Sequence, residues 1–237
     1  MPLPRAHRAR GADPVIPLRD DIPSSTRPVV MMLLIAACVY VFLLTLSLPE
    51  PEAERVVLTY GVIPAAFTGH ARVPGPLPLP ARLLTNLFLH GGWLHLIGNM
   101  WFLWIFGDNV EDAMGHGPFL LFYLACGVAA NLAHIAANPL SREPTIGASG
   151  AIAGVLGAYL VLFPRARVLC LVPLWVFLQF LWVPALLFLP LWVGMQLASG
   201  LLALGTDTAG GVAWWAHVGG FFTGVVLARA FARSRRW

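Results

Sequence analysis

The chain has 237 residues, of which 58% are hydrophobic and 11% charged, with a formal charge of +4 and a mean hydropathy of +0.76. An ordinary soluble domain carries about 25% charged residues, so this composition excludes a water-soluble globule, a disordered chain and a nucleic-acid-binding module. Uncharged runs of about 18 residues or more read as membrane spans.

In chain order, residues 1–28 are polar, with Arg5, Arg8, Arg10, Arg19 and Arg27. They read as a poorly ordered cytoplasmic tail, not a signal peptide, because the apolar run that follows is too long for a signal-peptide core. Span 1 covers 29–48 and stops at Pro49. The stretch 49–86 is polar with short apolar pieces, none long enough to cross, and reads as a loop lying partly in the membrane interface. Span 2 falls at 87–106, starting near Trp93, and 107–117 reads as a tight polar connection whose Glu111 and Asp112 anchor helix ends and loops. Spans 3 and 4 fall at 119–137 and 147–163. The next uncharged run is cut by Pro173, Pro184 and Pro190, and a proline inside a helix costs about 3 kcal/mol unless neighbours compensate. Span 5 is therefore placed at 184–204 and 168–183 read as an amphiphilic segment at the membrane surface. Span 6 covers 212–228, and 229–237 is a short cytoplasmic tail. The expected fold class is all-α, a polytopic bundle of six transmembrane helices over 29–228.

All the basic residues are Arg, and they sit at the ends of the apolar runs. With six spans both termini share one side, and that side collects most of the Arg residues, so both termini are expected to be cytoplasmic. The use of Arg over Lys, with no targeting peptide, fits a prokaryotic inner membrane. The three cysteines, Cys38, Cys126 and Cys170, have the spacing of neither a disulfide framework nor a zinc site.

Polar groups inside apolar runs are expensive unless they pair or face water. His90, His95 and Asn99 lie in HGGWLHLIGNM, with His95 and Asn99 on one helix face at i, i+4. Hydrogen bonding between helices would account for them equally well. No carboxylate or thiolate nearby completes a metal site. Ser149, in Gly147-Ala148-Ser149-Gly150, opens an apolar run. Backbone N–H groups at a helix start can face a developing oxyanion, although a serine there is also a common N-cap. His217 lies near the start of span 6, with Gly220 and Gly224 on its strip; Gly150, Gly154 and Gly157 form a matching strip in span 4. Two glycine strips, each with one polar residue at its outer end, imply that spans 4 and 6 touch. Ser149 and His217 then come within hydrogen-bond range, where His217 could take the proton of a serine nucleophile. No carboxylate is left to orient the histidine, which makes the pair a dyad.

The ordered set His95-x-x-x-Asn99, Gly147-Ala148-Ser149-Gly150 and Ala216-His217-x-Gly219-Gly220-x-x-x-Gly224, with the Gly107…Glu111…Gly115 connection, resembles the rhomboid family of intramembrane serine proteases. The resemblance implies Ser149 as nucleophile and His217 as general base. It implies Asn99, His95 and the Ser149 N–H as oxyanion donors. His90 takes a supporting role, and Gly147, Gly150, Gly220 and Gly224 shape the site. It further implies transmembrane protein substrates, a lipid environment, no cofactor and no metal, with access near span 5 and the loop 205–211. Two departures stand out. The stretch 49–86 contains no Trp for the Trp-Arg pair of several members, and Ala153 stands where some members pack a Tyr against the base. A non-catalytic membrane chaperone or adaptor of the same fold is the alternative. A transporter is disfavoured by the scarcity of buried charge and the lack of an inverted repeat.

Overall fold

A computed structural model describes residues 15–73, 75–174, 177–203 and 212–233. The expected access loop at 205–211, the first half of the N-terminal tail and the last four residues lie outside them. The chain is mostly helical. Helix α1 (Val29–Leu46) is followed by three short helices, α2 (Glu50–Tyr60), α3 (Pro64–Phe67) and α4 (Leu79–Thr85). Then come α5 (Trp93–Met114), α6 (His116–Ala137), α7 (Ser149–Leu162), α8 (Ala185–Ala203) and α9 (Trp214–Phe231). Among the described residues, α1, α6 and α8 are long and apolar enough to cross a membrane, and α7 is apolar but shorter.

The all-α expectation needs correction. Strands β1 (Ile16–Asp20), β2 (Arg167–Leu174) and β3 (Phe177–Pro184) form an antiparallel sheet in the order β1-β2-β3. The segment read as amphiphilic is thus a β-hairpin, and part of the tail read as poorly ordered is its third strand. Alternation explains the hairpin: Val168 and Cys170 are buried on one face of β2, as a period of two requires. The edge strand β3 exposes Leu178, Phe180 and Trp182, and the Arg19 guanidinium lies 5.7 Å from the Trp182 ring centroid.

The N-terminal strand is held by polar ties. Trp101 Nε1 donates to the Pro17 carbonyl at 2.6 Å, and Asn109 Nδ2 donates to Asp20 Oδ2 at 2.8 Å. The Tyr159 hydroxyl donates to the same carboxylate oxygen. Burial pushes the Asp20 carboxyl up from 3.8 to about 6, against the pull of the Tyr159 hydroxyl. The folded chain therefore keeps a proton that the unfolded chain has already released in this interval. This contribution to stability is present at acid pH below the unfolded value and is lost as pH rises through the folded one. Asp20→Asn, which keeps the shape without the charge, is expected to shrink the fall in Tm between acid and neutral pH. Thermal unfolding in detergent checks this, and an unchanged slope would exclude Asp20 as its source.

The polar connection at 107–117 is also corrected, because α5 runs on to Met114 and the chain turns at Gly115, whose φ is +86°. Its acidic residues act as anchors there. Glu111, fully buried, accepts the Val30 N–H at 2.9 Å and the Met31 N–H at 2.7 Å. It thereby satisfies two of the unpaired donors that open α1. Asp112 accepts from the Ser25 and Thr26 hydroxyls at 2.7 and 2.6 Å. The stretch read as a loop at 49–86 is largely helical, and Arg82, buried within it, donates to the Leu58 carbonyl at 2.8 Å.

Helices α6, α7 and α9 meet through small residues. A Cβ on Gly220 would lie 2.0 Å from the Gly150 carbonyl oxygen, and one on Gly224 1.9 Å from that of Gly154. The two backbones therefore touch, as the glycine strips imply. Ala130 of α6 closes on Gly150 in the same way.

Candidate active site

Ser149 begins α7, and the loop before it is held from three sides. The Gly147 N–H donates to the Asn86 carbonyl at 2.9 Å, and Asn86 exchanges two side-chain amide bonds of 2.9 Å with Asn131 of α6. Thr145 forms a backbone bridge with Val62. Gly147 has φ of +123°, and a Cβ there would meet His95 Nε2 at 2.6 Å. Only glycine permits both the turn and the approach of the imidazole.

The N-cap of α7 is Ala148, with Ser149 the first helical residue, which removes the N-cap alternative for Ser149. Its Oγ lies 2.8 Å from His217 Nε2. The contact of α7 with α9 puts the two groups there, one helical strip against the other. An imidazole nitrogen at that distance can accept a hydroxyl proton.

His95 and Asn99, on one face of α5, converge on the backbone beside Ser149. A Cβ on Gly147 would lie 3.6 Å from Asn99 Nδ2, close to its contact with His95 Nε2. The Gly91 N–H approaches His95 Nδ1 at 3.4 Å. That contact favours the tautomer with the hydrogen on Nε2, the nitrogen facing the site. Asn99 is buried, and among the described residues its Nδ2 has no hydrogen-bond partner. An unpaired buried donor is costly, and here it faces the Gly147 backbone, two residues before Ser149. His90 is buried behind these groups with its ring 5.1 Å from that of His95, edge to face. It packs against His95 and makes no hydrogen bond to it.

Residues from six helices also line one cleft of about 1150 Å³, among them His95, Asn99, Ser149, Trp192 and His217. Asn138, Ser141 and Glu143 give the cleft a polar rim. Water-compatible groups thus lead to the serine. Among the described residues no three His, Cys, Asp or Glu side chains gather as a metal site.

Two contacts to His217 escape a reading of the sequence. Trp192 of α8 lies with its ring centroid 5.9 Å from the imidazole, tilted by 34°, and is an aromatic neighbour in place of one at Ala153. Gln196, one turn further along α8, places Oε1 2.8 Å from His217 Nδ1. A lone amide in the middle of an apolar helix was the available signal for Gln196.

Comparison with known proteins gives relatives over parts of this chain. The presenilin-associated rhomboid-like protein, mitochondrial, of Homo sapiens is 28% identical over 200 residues, covering 81% of this chain and 45% of that protein. The rhomboid protease GluP of Bacillus subtilis (strain 168) is 48% identical over 79 residues, 33% of this chain and 15% of that protein. RHOMBOID-like protein 6, mitochondrial, of Arabidopsis thaliana is 32% identical over 146 residues, covering 62% of this chain and 42% of that protein. The chain spans less than half the length of these relatives. The family model for the Rhomboid domain matches residues 80–234, well over half of the chain, and the protein therefore belongs to the rhomboid family.

Proposed function

We propose that this chain is an intramembrane serine endopeptidase that hydrolyses peptide bonds of transmembrane protein substrates through Ser149 and His217. The observation that carries the reading is the 2.8 Å approach of His217 Nε2 to Ser149 Oγ at the wall of a polar-rimmed cleft. In this reading the Ser149 hydroxyl attacks the scissile carbonyl while its proton passes to His217 Nε2. The carbonyl oxygen gains the negative charge and is held by Asn99 Nδ2, His95 Nε2 and the Ser149 N–H. The imidazolium then protonates the leaving amine. A water entering past Asn138, Ser141 and Glu143 gives its proton to His217 and releases the acyl group from Ser149. All these groups are side chains or backbone, so the reaction needs no cofactor.

The reading includes six membrane crossings, by α1 and α5 to α9, with both termini on one side. The apolar side chains of β3 would then lie in the membrane surface. Mitochondrial relatives stand beside the bacterial one, so they lend no support to the prokaryotic inner membrane expected from the Arg usage. The reading is confined to a multi-pass membrane protein.

The test is cleavage of a reporter with a single transmembrane segment in detergent or liposomes. Ser149→Ala is expected to abolish it with the protein still folded, and full retained activity would reject the assignment. Chelators are expected to leave the rate unchanged. Asn99→Ala is expected to lower kcat by about 10²–10³-fold, the usual loss for one oxyanion donor, while substrate affinity holds. A change confined to KM would assign Asn99 to binding.

A further inference from the structure

We propose, resting on the serine-peptidase reading above, that Gln196 is the positioning residue for His217 and selects the tautomer on which the dyad depends. A neutral imidazole carries one N–H. For Nε2 to accept the Ser149 proton, that hydrogen must sit on Nδ1, and Nδ1–H needs an acceptor. Gln196 Oε1 lies 2.8 Å from Nδ1, and the Gln196 side chain is held in a residue only 9% exposed. Trp192 is four residues earlier in α8, so the two share one helix face. The indole packs beside the imidazole ring at 5.9 Å, tilted by 34°, and the amide holds its edge. Together they fix both the plane and the rotation of the base.

Among the described residues, the titratable groups facing His217 from the neighbouring helices are His95 on α5 and His134 on α6. Neither is an acid, and among the described residues none of the hydrogen bonds to His217 comes from a carboxylate. An amide suits this place. It accepts the Nδ1 hydrogen without bringing a full negative charge into an apolar helix, where an ionised carboxylate is expensive. The arrangement is a Ser–His–Gln line spread over α7, α9 and α8, with the amide in the role that Asn plays beside the Cys–His pair of papain-like proteases.

The experiment compares the wild type with Gln196→Leu, Gln196→Glu and Ser149→Ala in the reporter assay across pH. It also measures the rate of labelling by a small fluorophosphonate, which reacts with an activated serine without a helix having to enter the cleft. Gln196→Leu is expected to lower kcat and the labelling rate together by about 10–100-fold, the usual loss for an orienting partner, with KM unchanged. Gln196→Glu is expected to recover rate and to move the acid limb of the labelling profile upward by about one pH unit or more. A carboxylate beside Nδ1 favours the imidazolium, so the base becomes free only at higher pH. A side chain at 196 that did not reach Nδ1 would leave that limb in place. If Gln196→Leu does not fold, the Gln196→Glu profile decides alone, and an unmoved acid limb overturns the proposal. Wild-type kcat and labelling in Gln196→Leu, with Ser149→Ala inert, would overturn it and leave the peptidase reading standing. Activity retained in Ser149→Ala would instead overturn that reading, and this proposal with it.

Discussion

Ser149→Ala, His217→Ala and the double variant are expected to fall to one common residual level, about 10⁶-fold below the wild type in kcat. A serine hydroxyl is a weak nucleophile until its proton is taken, so either substitution removes the whole covalent route and the second has nothing left to remove. The 2.8 Å contact predicts this non-additivity. Rates from single-turnover cleavage of a transmembrane reporter, with folding checked by thermal unfolding, supply the comparison. If the two losses multiplied, the groups would be acting separately. If His217→Ala kept a rate within tenfold of the wild type, His217 would not be the base. A folded wild type that never reacts with serine-directed mechanism-based inhibitors would favour the chaperone or adaptor alternative.

The second large effect is on packing. Gly224→Ala is expected to destabilise the fold by about 3 kcal/mol, the upper end for an overpacked core, and to reduce activity further than the stability loss explains. The new Cβ would lie 1.9 Å from the Gly154 carbonyl oxygen and 2.6 Å from its carbon. Backbone cannot rotate aside as a side chain can, so α7 and α9 must separate. The separation would carry His217 away from Ser149, and a displacement near 1 Å costs about 10²-fold in rate. Gly194→Ala is the control, because a Cβ there meets nothing within 4 Å. It is expected to hold stability or raise it by up to about 1 kcal/mol, as alanine is the better helix former. Denaturation monitored by tryptophan fluorescence, alongside the cleavage assay, separates the two effects. Equal stability for both alanine variants would contradict the close contact of α7 with α9.

Much of the site was legible because apolar stretches make polar residues conspicuous. Ser149, His217, Asn99 and His95 each stand where a hydrogen-bonding group needs a partner. The matched glycine strips named the two helices that would bring the first pair together. Gly147 was legible for the same reason, since a small residue before a helix start implies a turn or a close neighbour, and here it provides both. Glu111 and Asp112 were readable as anchors, but not what they anchor, because Val30 and Ser25 lie more than 80 residues away.

Other features depended on contacts that local pattern does not encode. The segment after Arg167 looked amphiphilic because its alternation is short and broken by proline. Its pairing with residues 16–20 joins pieces some 150 positions apart, and no local periodicity reports such a pairing. The helical end of α5 was hidden because its charged residues resemble a loop until their buried partners are known.

The order of apolar runs, the positions of their polar residues and the small-residue strips were determined by the sequence alone, because burial in an apolar setting constrains each residue by its own chemistry. The tertiary structure alone decided which atom faces which. The rotation of α8 relative to α9 brought an isolated glutamine to 2.8 Å from His217 Nδ1 and set Trp192 beside the ring. Those rotations follow from the summed packing of all the helices, in which the polar atoms of two side chains count for little beside the backbone contact of α7 with α9.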